Sequence, residues 1–119
     1  MAATVEALKK LDGFIAAALV DSSSGMMLES IVVGSFPIEI AAAANTEVLQ
    51  TKLKAMDAID LGDDHIEDIL ISLGTQYHLL RPLSSNREIF IYVALDRSRA
   101  NLAMARLETK KIEASIKRI

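Results

Sequence analysis

The sequence contains no cysteine and no tryptophan. Without cysteine there are no disulfides, no thiolate metal ligands and no cysteine nucleophile, and this usage fits a cytoplasmic protein. Aromatic residues make up only 4% of the chain, so leucine, isoleucine, valine, alanine and methionine must build the core. An excess of positive charge is missing too: the formal net charge is −3 and the pI about 5.3. A nucleic-acid binder usually carries a basic patch with stacking aromatics, so nucleic acid is disfavoured as a partner. No run reaches the roughly 18 uninterrupted apolar residues that read as a membrane span. The opening MAATVEALKKLDG has no apolar stretch after its charges and does not read as a signal peptide.

What is present points to a packed domain. A hydrophobic share of 51% against 24% charged residues excludes a disordered chain. A length of 119 residues is enough for one sizeable core. No repeat or low-complexity linker interrupts it, so residues 1–119 are read as one domain.

The dominant pattern is a long helix over residues 38–59. At about 100° per residue its apolar arc spans roughly 180°, wider than the stripe of about 100° needed to dock a surface helix. Ile38, Ala42, Leu49, Leu53 and Met56 form one half of that arc, and Ala41, Ala44, Val48 and Ala55 the other, with Asn45 and Lys52 on the seam. Glu39, Thr46, Glu47, Gln50, Lys54 and Asp57 are placed on the opposite, polar side. One half is expected to meet the chain's own sheet and the other a second subunit.

Around this helix the remaining elements follow in order. Val5, Leu8 and Leu11 recur at helical spacing over residues 3–11, and Gly13 stops that helix. The run FIAAALVD is apolar at every position but its last, as in a strand buried on both faces. The turn Ser22-Ser23-Ser24-Gly25 leads to a more exposed edge strand at 26–32. Pro37 suits the first turn of the long helix, and Leu61-Gly62-Asp63-Asp64 ends it. Strands are expected at 66–73, 76–83 and 88–95, joined by short turns as an antiparallel meander. The last of them, IFIYVAL, is continuously apolar and belongs at the sheet centre. A final helix over 101–119 places Leu102, Ala105, Ile112, Ile116 and Ile119 on one stripe, with Thr109 in its polar slot. Doubly buried central strands require helices on both sheet faces, which makes a three-layer α/β (α+β) sandwich.

The residues at the joints carry a resemblance. Leu8…Leu11-Asp12-Gly13-Phe14-Ile15-Ala16-Ala17-Ala18-Leu19-Val20-Asp21…Gly25 forms a helix, a glycine, an apolar strand and an Asp-containing turn with glycine. Asn101-Leu102-Ala103-Met104-Ala105-Arg106 then opens the last helix with an asparagine. In these features, and over nearly its whole length, the chain resembles the Roadblock family (the dynein light chain roadblock type), as a prokaryotic-like single-domain member. The resemblance implies a five-stranded antiparallel sheet in the order 2-1-5-4-3, profilin/longin-like. One long helix lies on one face and two helices on the other. It implies a homodimer with the long helices side by side and the third strands paired. It also implies an adaptor or regulator of Ras-like small GTPases, or a component of a motor or polarity complex. No terminal extension of the kind some GTPase-activating relatives carry is seen. No family arginine finger maps onto this sequence, so the resemblance does not extend to activating hydrolysis.

Residues able to carry chemistry do not assemble into a site. Asp63, Asp64, His65, Glu67 and Asp68 are the densest set of candidate metal ligands, but no glycine turn spaces them as a hard-cation loop requires. A solvated helix-to-strand turn is favoured. His78 has only His65 as a companion, too few for a histidine metal site. No G-x-S-x-G elbow exists, and Ser22-Ser23-Ser24-Gly25 lacks the lysine and the following helix of a phosphate loop. No catalytic, cofactor or metal residue is assigned, and no enzyme is expected. Lys110, Lys111, Lys117 and Arg118, alongside Glu108 and Glu113, make the outer face of the last helix basic. That face is either solvated or a contact for an acidic partner.

The expected dimer interface comprises Ala41, Ala44, Asn45, Val48, Lys52 and Ala55 on the long helix, with Ile69 and Ile71 on the third strand. Asn45 has two readings: a hydrogen bond to nearby backbone in its own subunit, or a register-fixing contact with its symmetry mate. The alternative to an adaptor is a small-molecule-sensing module with a pocket between helix and sheet.

Overall fold

The computed structural model describes residues 5–116. Expected helical positions 3–4 and 117–119, Ile119 among them, lie outside those residues. A 3₁₀ helix, Val5–Lys10, opens the described chain. It is followed by β1 (Phe14–Asp21), β2 (Met26–Val32), α1 (Ile38–Ala58), β3 (Ile69–Ser72), β4 (Gln76–Pro82), β5 (Ile89–Asp96) and α2 (Leu102–Ser115). The five strands form one sheet in the order β2-β1-β5-β4-β3, with every neighbouring pair antiparallel.

Strand β5 is central, and Ile89 to Leu95 are all buried. Its alternate residues feed two separate cores. Ile89, Ile91, Val93 and Leu95 join Val5 and Leu8 of the 3₁₀ helix and Ala105 and Ile116 at α2. Phe90, Tyr92 and Ala94 join Ile38, Ala42, Leu49, Leu53 and Met56 of α1. The sheet therefore has one long helix on one face and two helices on the other. Ala16 and Ala18 of β1, with Ala94, give α1 a floor of small side chains, which lets the helix backbone lie close.

The boundaries depart from the expected ones where side chains engage elsewhere. Strand β3 starts at Ile69 rather than 66, because Asp68 is held by Arg106 at 2.9 and 3.0 Å, off the ladder. The first helix is 3₁₀, and Pro37 sits at the N-cap of α1 rather than inside its first turn. The exit from α1 is a Schellman-type turn: Leu61 N–H donates to Met56 O at 2.8 Å, with Asp60 at a left-handed φ of 64° where glycine is usual. Thr46 is a correction of side as well as of burial. It lies one turn beyond Ala42 on the buried stripe, and its hydroxyl donates to Ala42 O at 2.9 Å, which removes the penalty for burying it.

Gly13 joins the opening helix to β1 with φ +78°, and an added Cβ would lie 2.8 Å from Asp96 O and 3.0 Å from Ala100 N. Gly25, in the β1–β2 turn, has φ +76° with open space around it. An L side chain at either position would carry left-handed strain of about 1 kcal/mol, but only Gly13 adds a backbone clash. Gly25→Ala should therefore destabilise by about 1 kcal/mol and Gly13→Ala by roughly 2 kcal/mol or more, read from urea unfolding midpoints. Equal losses would show that the Gly13 contact relaxes freely.

Candidate functional site

The solvent side of α1 keeps the small-residue surface expected of it. Ala44, Lys52 and Ala55 are exposed and Val48 is 39% exposed. With Glu47 and Thr51 they line a shallow groove along the helix. Ala41 is half-buried against the α1 core. Strand β3, like β2, is one of the two sheet edges. Its Ile69 and Ile71 face the α1 side and Leu70 the other, and all three remain half-exposed. Helix α1 packs over β1 and β2, which leaves the β3 end of this face only partly covered.

Asn45 is buried although Lys52, on the same seam, is exposed. Its side-chain nitrogen donates to Ala41 O at 2.9 Å, and its side chain lies near the Tyr92 hydroxyl. From Tyr92 the polar line runs on to His78 Nδ1 at 3.3 Å, and His78 Nε2 pairs with Gln76 Oε1 at 2.7 Å. Phe36 meets the His78 ring edge-on, 6.2 Å between centroids. Burial pushes the Tyr92 phenol up to about 12, against a smaller opposite effect of the neighbouring Asn45 side chain. Burial likewise holds His78 below the ordinary imidazole value, so near pH 7 both groups are neutral and serve as hydrogen-bonding links. At the other end of α1, Gln50 donates to Ser22 Oγ at 2.9 Å, tying the helix to the β1–β2 turn.

On the opposite face lies an ion-pair network that sequence periodicity did not reveal. Arg81 Nε donates to Glu113 Oε1 at 3.1 Å, with side chains 9% and 7% exposed. Glu113 Oε2 accepts from Ser84 N–H at 3.1 Å and Ser84 Oγ at 2.8 Å. Arg81 also lies 3.9 Å from Asp68. Glu113, expected on the outer face of the last helix, is instead buried one turn beyond Thr109, itself fully buried. The usable signals are an arginine inside the otherwise apolar run of residues 79–83 and a glutamate in register with Ala105 and Thr109. The acidic turn divides: Asp63, Asp64, His65 and Glu67 are exposed, while Asp68 joins the arginines. Among the described residues no three His, Asp or Glu side chains come together as a metal site.

Above this network is a cavity of about 660 Å³, lined by Leu53 of α1, Ile66, the 82–87 turn and Lys110. Volume of this order suits a small ligand. Its walls carry Arg81, Arg87 and Lys110 against Asp64, Glu67 and Glu113, so charge alone selects no ligand.

The sheet order and the helices on its two faces define the Roadblock/LC7 fold. No family model matches the sequence and no curated protein matches it, so solved structures carry the likeness. The Roadblock/LC7 domain from Streptomyces avermitilis aligns with a TM-score of 0.76 at 14% identity, over 94% of this chain and 90% of that one. The gliding protein MglB from Thermus thermophilus gives 0.79 at 12% identity, over 96% and 83%. A structure described as MglB with tetrameric arrangement gives 0.79 at 13% identity, over 96% and 82%. Identities at this level establish the fold.

Burial raises the Glu113 pKa, but hydrogen bonds from Ser84 and then Arg81 outweigh it and leave the carboxyl below its ordinary value. A depressed carboxylate stabilises the fold above its unfolded pKa of about 4.3, and that stabilisation is lost as pH falls through the lowered folded value. Glu113→Gln should therefore flatten the loss of stability below about pH 5 in thermal melts. A slope identical to that of the unmodified protein would remove Glu113 from that role. Arg81→Met, which leaves the buried carboxylate without its cation, should destabilise by about 3 kcal/mol.

Proposed function

We propose that this protein is a non-enzymatic homodimer that acts in the cytoplasm as an adaptor or regulator of a Ras-like small GTPase. The observation that carries this reading is the meeting of two unfinished surfaces. The β3 edge, with half-exposed Ile69 and Ile71, ends a sheet face whose α1 core reaches β5 and Leu80 of β4 but leaves β3 half-covered. The small side of α1, from Ala44 to Ala55, stands open above that same face. A second copy placed across a two-fold axis satisfies both at once: the β3 edges pair and the α1 grooves receive each other. Ala41, Ala44, Val48, Lys52 and Ala55 would then form the helix contact, and Asn45 would support it from beneath through its bond to Ala41. The likeness to MglB, for which a tetrameric arrangement has been solved, supports assembly and regulation over catalysis. Among the described residues no helix is long and apolar enough to cross a membrane, in keeping with the cytoplasmic setting proposed.

A small-molecule sensor is the second reading, favoured by the cavity beneath Leu53. A metabolite that raises the melting temperature of a monomeric protein by mass action would select it.

Light scattering tests the first reading. The unmodified protein should run at twice the 12.9 kDa chain mass. Ala44→Glu and Ile69→Lys should each shift it to monomer while the circular dichroism spectrum is kept. A dimeric mass for Ala44→Glu would overturn the interface. Capture of Ras-like GTPases from the source cell, loaded with GDP or a GTP analogue, should depend on the nucleotide. Recovery of none in either state would leave a dimeric module without the regulatory role.

A further inference from the structure

The outward side of α2 carries a second apolar stripe that no part of the described chain covers. Met104 and Leu107 are each 45% exposed, and Ala114 is exposed two turns beyond Leu107. The inward stripe is made by Ala105, Thr109 and Glu113, so these residues sit on the opposite side of the helix. Cations border the stripe. Arg106 is 46% exposed and paired with Asp68, and Lys111 is 64% exposed and 3.5 Å from Glu108. Lys110 is exposed. Lys10 of the adjoining 3₁₀ helix also lies against Glu108, at 3.1 Å. Surface ion pairs of this kind contribute little and exchange readily for another carboxylate. Glu108 is shared between two lysines, so this side holds more positive than negative charge on a chain whose net charge is −3. Beside the stripe, a groove of about 280 Å³ runs between α2 and residues 67–68, lined by Ala103, Leu107, Arg106, Lys110, Glu67, Asp68 and Arg81.

We propose that the outward face of α2 docks an acidic amphipathic helix of a partner protein. That helix sets its apolar side on Met104, Leu107 and Ala114 and its carboxylates toward Lys110, Lys111 and Arg106. Two large aliphatic side chains with no aromatic anchor suit a packed helix better than a bilayer surface, where aromatic or larger apolar faces insert. The helix-in-groove mode also fits a stripe spaced by three and seven residues. The surface lies across the sheet from the open side of α1, so both contacts can be made at once.

The test uses the whole protein and a fluorescein-labelled 18-residue peptide of leucine and glutamate, with leucine at positions i, i+3, i+4 and i+7. Anisotropy should show saturable binding with one peptide per chain, weakening at least tenfold between 50 and 500 mM salt, as screened charge requires. Leu107→Glu and Lys110→Glu, both at exposed positions that leave the core intact, should each weaken binding by about tenfold or more. No saturable binding, or affinity unchanged by Leu107→Glu, would overturn the proposal. So would equal affinity for a leucine–lysine peptide of the same spacing. Stronger association with phosphatidylserine vesicles than with the acidic peptide, lost in the same variants, would replace the protein partner by a membrane surface.

Discussion

Strand β5 is the constraint from which the rest of this structure follows. It is apolar on both faces, so water must be excluded from both, and its backbone groups must all be used in ladders with β1 and β4. That arrangement demands a helical layer on each side. The 3₁₀ helix and α2 together cover one face. Among the described residues the other has only α1, which lies closest to β1 and β2, where alanines allow close approach. A single helix cannot span a five-stranded sheet whose strands lie about 4.8 Å apart. The β3 end is left half-covered, and the surface proposed for a second copy is the direct consequence.

The polar groups inside these layers act as positioning devices. Tyr92, His78 and Gln76 form a line of hydrogen bonds from β5 to β4, and each link is directional in a way that aliphatic contacts are not. Helix α1 is tied to the β1–β2 turn through Gln50 and Ser22, so sliding it by one turn would break that bond and leave polar atoms unpaired, at about 1–3 kcal/mol each. On the opposite face Arg81, Glu113 and Ser84 fix α2 against β4 and the following turn. A buried ion pair is a poor source of net stability, but it strongly penalises a misplaced helix. The two outward surfaces, one along α1 and one along α2, are thereby held in a defined relation through a shared rigid sheet.

Much of this architecture is legible in the sequence. The continuous apolar runs FIAAALVD and IFIYVAL mark β1 and β5 as doubly buried, and the polar Glu29 and Ser30 mark β2 as an edge. Ile38, Ala42, Leu49, Leu53 and Met56 read as the sheet-facing stripe of α1 and are its core. Polarity alone places Thr46, Glu113 and Asp68 at the surface, yet each is buried or half-buried because a partner satisfies it: Ala42 O, Arg81 with Ser84, and Arg106. Thr46 finds its acceptor one turn back on its own helix, but the partners of Glu113 and Asp68 lie up to 38 residues away in sequence, beyond the reach of any helical or strand period. Strand β3 was overextended for the same reason, since apolar Ile66 resembles a strand residue until Asp68 is seen to be drawn toward α2.

The sequence by itself determined the order of elements, the two-sided burial of the central strands and the over-wide apolar surface of α1. These depend on local periodicity and on the transfer of apolar side chains from water, both written in consecutive residues. Only the tertiary structure decided which polar residues could be buried, because burial depends on where a distant donor or acceptor arrives. It also decided that Asn45 is bonded to Ala41 of its own chain, and that the outward side of α2 is left open by the described residues. Whether a helix face is covered depends on neighbours brought close by the fold, and no periodicity along one helix contains that information.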